Sequence, residues 1–168
     1  MIDNIITQAG EPASAPLQSR TDPQHRILVV EDDGEIRRLN TEVLMHSGYQ
    51  VVAAEDGDAA WNDLQASSYD LMVTDNDMPK VSGLELIKKL HAVRMALPVI
   101  MATGRIPTEE FERCPWLQPA ATLLKPYTVD ELLITVKVVL RAIKAASPPD
   151  EPTRTWENQP PADGWLRL

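Results

Sequence analysis

The sequence predicts an α/β protein built on a doubly wound, five-stranded parallel sheet with helices on both faces. Three observations carry this prediction. Five short apolar runs alternate with segments of helical period across residues 26–145. Those runs are apolar nearly throughout rather than at every second position, as strands covered on both faces require. Proline then sets this middle apart from its flanks. Eight of the fourteen prolines lie in residues 1–25 and 146–168, and only six are spread over the long stretch between.

The elements follow in chain order. Arg26–Val30 is an apolar run of strand length. Ile36, Leu39, Val43 and Leu44 recur at helical spacing, and Gly48 supplies a stop. Gln50–Ala54 is the second strand, and Asp56-Gly57-Asp58 makes a turn and a cap before a helix carrying Ala60, Trp61 and Leu64. Tyr69–Thr74 is the third strand, and Leu84, Ile87 and Leu90 mark a helix after Ser82-Gly83. Pro98–Ala102 is the fourth strand. A weak helix over Thr108–Arg113 is opened by Pro107 and blocked from extending by Pro115 and Pro119. Ala121–Leu124 is the fifth strand. Thr128 with Glu131 forms a capping box, and Leu132, Leu133, Val136, Val139, Leu140 and Ile143 define the last helix.

The chain of 168 residues holds one domain of ordinary size, residues 26–145, between two tails. The tail segments Glu11–Pro16 and Ser147–Pro152 have no hydrophobic period and read as flexible or polyproline-like. The C-terminal one carries Trp156, Trp165, Leu166 and Leu168, an apolar set that either docks on a surface or is simply solvated. There is no internal repeat. No apolar run approaches the roughly 20 residues that a membrane span needs. Asp3 and the short Ile5-Ile6 pair do not make a signal peptide. The lone cysteine, Cys114, cannot form an internal disulfide and reads as inert, which fits a cytoplasmic protein. A formal net charge of −9 argues against nucleic-acid binding through bulk charge.

Open parallel sheets bind ligands beyond the carboxyl ends of their strands. The first strand ends in Glu31-Asp32-Asp33, the third in Asp75-Asn76-Asp77-Met78-Pro79, the fourth in Thr103-Gly104 and the fifth in Lys125-Pro126. Carboxylates, a hydroxyl and an amine therefore converge on one edge. Clustered carboxylates repel unless a cation joins them, and loosely constrained oxygen ligands suit Mg²⁺. An ammonium and a hydroxyl beside them suit phosphoryl oxygens. Asp33 reads as the cap of the first helix rather than a ligand. His46 and His91 lie on helix surfaces without partners at transition-metal spacing. The methionines within periodic segments read as packing.

These segments in order, Val29-Val30-Glu31-Asp32-Asp33, Val73-Thr74-Asp75-Asn76-Asp77-Met78-Pro79, Met101-Ala102-Thr103-Gly104 and Leu124-Lys125-Pro126-Tyr127, resemble the CheY-like receiver domain of two-component response regulators. The resemblance covers about residues 26–145. It implies a flavodoxin-like strand order 2-1-3-4-5 and a phosphorylation switch. Asp75 would accept a phosphoryl group from a sensor histidine kinase or a histidine phosphotransfer protein. Mg²⁺ would sit on Asp32, Asp75 and the backbone carbonyl of Asp77, with Glu31 assisting. Lys125 and Thr103 would each meet a phosphoryl oxygen, and Lys125-Pro126 would be a cis peptide. Such a protein is a phosphoacceptor rather than an enzyme with an external substrate.

Two departures stand out. Thr122 occupies the position where many receivers carry an aromatic switch residue. The fourth helix is short, with Trp116 beside it; Trp116 is expected on the face formed by the fourth helix, fifth strand and fifth helix, which the family uses for output or for a homodimer. Asp77 and Arg105, each two residues past a site residue, would form an ion pair over the phosphoryl group or remain two solvated charges. The forty-eight residues outside the middle leave no room for a helix-turn-helix module, so the expected output is contact with a downstream protein and not DNA. Two other readings of the same residues are open. One is a receiver fold used as a binding module without phosphorylation. The other is a haloacid-dehalogenase-type phosphatase, whose opening Asp-x-Asp motif Asp75-Asn76-Asp77 resembles; the early position of Glu31-Asp32 and Pro79 count against it.

Overall fold

The computed structural model describes residues 25–146. The tail segments expected at either end, Trp156, Trp165, Leu166 and Leu168 included, lie outside the described residues apart from His25 and Ala146. The order of elements is β1 (Arg26–Val30), α1 (Gly34–His46), β2 (Gln50–Ala54), α2 (Gly57–Ala66), β3 (Leu71–Asp75), α3 (Gly83–Ala92), β4 (Val99–Thr103), α4 (Thr108–Arg113), a 3₁₀ turn (Pro115–Leu117), β5 (Ala121–Leu124) and α5 (Val129–Ala146). The five strands form one sheet in the order β2-β1-β3-β4-β5. Every pairing is parallel. No described helix is long and apolar enough to cross a membrane.

Side chains alternate across a strand, so each strand feeds two cores. Ile27, Val29, Leu71, Val73, Ile100 and Ala102 pack under α1 and α5 against Leu44, Leu132 and Val136. Leu28, Val30, Met72 and Met101 pack on the opposite face with Leu64, Leu86, Leu90, Phe111 and Leu117. Complete burial of such side chains stabilises by about 1.5–3 kcal/mol each relative to exposure, an upper figure because the unfolded chain is itself partly compact. This double coverage is why the strands read as unbroken apolar runs.

Two strands sit one or two residues later than expected. β3 ends on Asp75 instead of Thr74, and β4 ends on Thr103 instead of Ala102. Pro98 has no N–H to give the ladder, so its carbonyl merely accepts from Met72 (3.0 Å) and the strand starts at Val99. The shift places Asp75 and Thr103 inside the sheet's last rungs, Asp75 opposite Ala102 and Thr103 opposite Leu124.

On α1 the apolar period marks the helix, but the buried face differs from the expected stripe. Leu44 and Asn40 are buried, whereas Ile36 and Leu39 are exposed. Asn40 can go inside because its Nδ2 donates to the Tyr127 hydroxyl at 2.9 Å, which satisfies both groups. Asp33 caps α1, accepting from the N–H groups of Glu35 (2.8 Å) and Ile36 (3.0 Å). At α5 the Thr128–Glu131 box is formed, with Glu131 N–H donating to Thr128 Oγ1 at 3.2 Å. α4 has six residues and no side-chain cap. Trp116, expected on the α4–β5–α5 face, instead stacks on His91 of α3 with ring centroids 4.3 Å apart.

Candidate functional site

The carboxyl ends of β1, β3, β4 and β5 bring Glu31, Asp32, Asp75, Thr103 and Lys125 to one edge of the sheet. Glu31 and Asp75 are buried beneath it, while Asp32 is exposed. Lys125 Nζ donates to Asp75 Oδ2 at 2.7 Å and to Glu31 Oε2 at 3.2 Å. Carboxylate oxygens of Glu31, Asp32 and Asp75 all lie within 4.8 Å of one another.

Local structure holds each group in place. The Arg37 guanidinium of α1 donates to the carbonyls of Glu31 (2.7 Å) and Asp32 (3.2 Å), pinning the β1–α1 turn. Asn76 Oδ1 accepts from the N–H of Leu84 (3.1 Å) and ties the β3 end to the start of α3. Gly83 lets that start come close: a Cβ there would lie 2.6 Å from the Asp75 carbonyl oxygen. The Lys125-Pro126 peptide is cis. Tyr127, bonded to Asn40, anchors the β5–α5 turn against α1.

The second Asp75 oxygen, Oδ1, accepts the N–H of Asp77 at 2.9 Å. The Asp77 side chain turns toward the β4–α4 loop. Its Oδ2 accepts from Gly104 N–H at 3.1 Å and lies 3.4 Å from Thr103 Oγ1. Of the two arrangements open to Asp77 and Arg105, the ion pair is not formed, and the Asp77 carboxylate instead accepts the Gly104 N–H. No ion pair involves Arg105 among the described residues. Thr103 Oγ1 is itself 2.8 Å from the Arg105 carbonyl. Thr122 sits partly buried in β5, paired with Met101 across the sheet.

The site carries more negative than positive charge. Burial, and then the charge of Asp75, push Glu31 up to about 7 even though Lys125 stands beside it. Burial works against the Lys125 ammonium, but its hydrogen bond to Asp75 and the charges of Glu31 and Asp75 outweigh that and hold its pKa above the ordinary value. Three carboxylates face one ammonium. An all-oxygen set that is short of positive charge, with Asp32 open to solvent, fits a hard divalent ion of the Mg²⁺ kind.

Sequence reasoning missed Arg37, Asn76 and the Asn40–Tyr127 pair as parts of the site's support. Asn76 was not readable as a cap, since it lies six residues before Ser82, the N-cap of α3, and only the folded β3–α3 loop brings it to Leu84. Arg37 and Asn40 were not readable, since only the tertiary fold aims them.

Comparison with known proteins now decides the family. The response regulator receiver domain profile matches residues 27–137. The chain belongs to the response regulator receiver family. Over 122 residues the receiver is 40% identical to the phosphate regulon transcriptional regulatory protein PhoB of Escherichia coli K12, an alignment covering 70% of this chain and 52% of PhoB. Over 128 residues it is 34% identical to the alkaline phosphatase synthesis transcriptional regulatory protein PhoP of Bacillus subtilis, covering 75% of this chain and 52% of that protein. The chain thus spans about half the length of these curated relatives. The crystal structure of response regulator TrrA from Thermotoga maritima in complex with Mg²⁺ and BeF is 31% identical, with a TM-score of 0.60, over 69% of this chain and 99% of TrrA. The receiver is therefore a two-component response regulator module with the CheY-like fold.

Proposed function

We propose that the receiver, within residues 26–145, takes a phosphoryl group onto Asp75 from a phosphohistidine of a sensor histidine kinase or a histidine phosphotransfer protein. It works in the cytoplasm as a response regulator receiver and passes the signal on by contact with a downstream protein. One observation carries the reading: the Asp75 carboxylate is buried at a strand end, held by the Lys125 ammonium (2.7 Å) and the Asp77 N–H (2.9 Å) beside two further carboxylates.

In the transfer an Asp75 oxygen forms a bond to phosphorus and the phosphorus–nitrogen bond of the donor breaks. The electron pair leaves with the imidazole nitrogen, and an acyl phosphate remains. Hydrolysis by water restores the carboxylate and releases phosphate. Lys125 stays protonated and exchanges its bond to Asp75 Oδ2 for one to a phosphoryl oxygen. The Thr103 hydroxyl, which in the resting site donates to the Arg105 carbonyl at 2.8 Å, would turn to donate to another. Glu31, Asp32, Asp75 and the Asp77 carbonyl would hold Mg²⁺, which supplies positive charge between the carboxylate and the incoming phosphoryl group. Asp33 takes no part, being the cap of α1.

The net charge of −9 supports protein contact over DNA as the output of this chain. PhoB and PhoP, named as transcriptional regulators, extend over about twice the matched span. A homodimer through the α4–β5–α5 face belongs to the same reading.

The test is intact mass after incubation with Mg²⁺ and acetyl phosphate, for the wild type and Asp75→Ala. A gain of one phosphoryl group in the wild type alone is expected. No gain in the wild type, from acetyl phosphate or from phosphorylated histidine kinases, overturns the proposal in favour of a constitutive binding module.

A further inference from the structure

At the amino ends of the strands, opposite the acidic edge, an apolar groove runs between the end of α3 and the 3₁₀ turn before β5. A cavity of about 350 Å³ there is lined by Ile87, Leu90, Met95, Leu97, Trp116 and Pro119 among others. A second cavity of about 190 Å³ shares Met95 and Leu97 and continues the groove to Leu64 and Tyr69. The groove is thus longer than one side chain and suits a run of chain. Trp116 forms one wall. It stacks on His91 with ring centroids 4.3 Å apart, yet it is 48% exposed. An indole held by its neighbour on one face and open on the other is a platform for a further aromatic side chain.

Charge and reach both point to a segment of this chain as the occupant. No acidic side chain lines either cavity. His91 lies in the wall, and the exposed Lys88 and Arg94 stand on and just after the same helix, neither in an ion pair among the described residues. The chain carries a net charge of −9, so an acidic segment meets repulsion over much of the surface and attraction at this basic end of α3. Residues 150–157 hold Asp150, Glu151 and Glu157 against Arg154, with Trp156 as an apolar anchor. α5 starts at the carboxyl end of β5 and runs back for 18 residues, about 27 Å, against about 13 Å for the four residues of β5. Ala146 therefore lies at the amino edge of the sheet, the edge at which Val99 and Ala120 line the groove. Trp156 follows ten residues later. Ten residues can reach about 31 Å, more than the roughly 20 Å, two helix diameters, from the α5 layer past β5 to the α3 layer. A tether of this length gives a local concentration on the order of millimolar. Trp165 lies farther along, next to Arg167 and with only Asp163 close by, so charge and tether both favour Trp156.

We propose that residues 150–157 dock back on their own receiver: the Trp156 indole packs on the open face of Trp116 in the groove, and Asp150, Glu151 and Glu157 face Lys88, His91 and Arg94. This docking requires no phosphoryl group on Asp75. It makes the groove an intramolecular seat, so a protein that binds the side formed by α3 and the 3₁₀ turn must first displace the segment.

The test uses the full chain labelled with 5-fluorotryptophan. Its four indoles, Trp61, Trp116, Trp156 and Trp165, give ¹⁹F resonances assigned by single substitutions to phenylalanine. Trp156→Ala should move the Trp116 resonance through the lost ring contact. The Trp61 resonance, on α2, should stay in place and show the fold intact. Trypsin cleavage after Arg154 should be about tenfold faster in the double variant Lys88→Glu, Arg94→Glu than in the wild type, as attraction turns to repulsion at two exposed positions. Cleavage after Arg20, in the other tail, should not change. A Trp116 resonance unmoved by Trp156→Ala overturns the proposal. So does one moved instead by Trp165→Ala, which makes the other apolar cluster the occupant. A Trp116 shift that grows with protein concentration overturns it in favour of a second copy. Equal cleavage rates after Arg154 remove the charge pairing, and with it the ground for choosing this segment.

Discussion

Glu31 is where burial and charge pull hardest on a single residue. Its carboxyl is pushed from 4.5 up to about 7, first by burial and then by Asp75. The folded protein therefore binds this proton more tightly than the unfolded chain does. Stability from this group is fully present below pH 4.5 and is lost as pH rises through 7. The loss approaches roughly 3 kcal/mol at most. The carboxylates held below their ordinary range, Asp33, Asp56, Glu42 and Glu131, titrate at lower pH and leave this window clear. Urea unfolding with a chelator present should thus show lower stability at pH 8 than at pH 5. Glu31→Gln should flatten that difference, and Mg²⁺ at pH 8 should restore stability to the wild type. A wild-type curve as flat as that of Glu31→Gln would remove the unbalanced charge from the account. Glu31, Asp32, Asp75 and Lys125 were legible in the sequence because each follows an apolar strand, and parallel strands deliver their carboxyl ends to one edge. The grip of Gly104 on Asp77 was not legible, since it depends on a side-chain torsion that no spacing encodes.

At the scale of the element, α1 and α3 end in the same way on different residues. After α1, Gly48 N–H bonds to the Met45 carbonyl and Tyr49 N–H to Leu44, with Gly48 at φ 90°. After α3, Arg94 N–H bonds to His91 and Met95 N–H to Leu90, with Arg94 at φ 56°. Both are left-handed helix ends of the Schellman kind, where glycine is the comfortable residue. Arg94→Gly should therefore stabilise the receiver by about 0.5–1 kcal/mol, read as a raised urea midpoint at unchanged m-value. A lowered midpoint would mean that the arginine side chain contributes more than its backbone costs. Gly48 was readable as a stop, whereas nothing about Arg94 announced one. The stripe on α1 was misread for a related reason: periodicity identifies a helix but not which way it faces. Asn40 turned inward once Tyr127, far along the chain, offered its hydroxyl. The Ser82–Glu85 capping box of α3 was present as a pattern in the sequence and is fully formed.

For the molecule as a whole, the exposed apolar residues gather on particular surfaces. Ile134 (61%) and Val138 (59%) stand one turn apart on the outer face of α5, and Leu124 (53%) is exposed on the edge strand β5. If the α4–β5–α5 face joins two copies, sedimentation with Mg²⁺ and beryllofluoride should show a dimer for the wild type and a monomer for the double variant Ile134→Lys, Val138→Lys. A wild type that stays monomeric would exclude the homodimer. The order of strands and the two-layer packing were predictable because double burial leaves so plain a mark on composition. The orientation of Trp116 toward α3 was not, because it follows from where proline ends α4. That short helix has a dynamic consequence. Of its six residues only Phe111 is buried, and it belongs to one core layer. α4 can therefore open without disturbing the layer under α1 and α5. Its amide hydrogens will trade with solvent deuterium well before those of α3 or α5, so that the sheet keeps time while one small helix beside the site is continually remade.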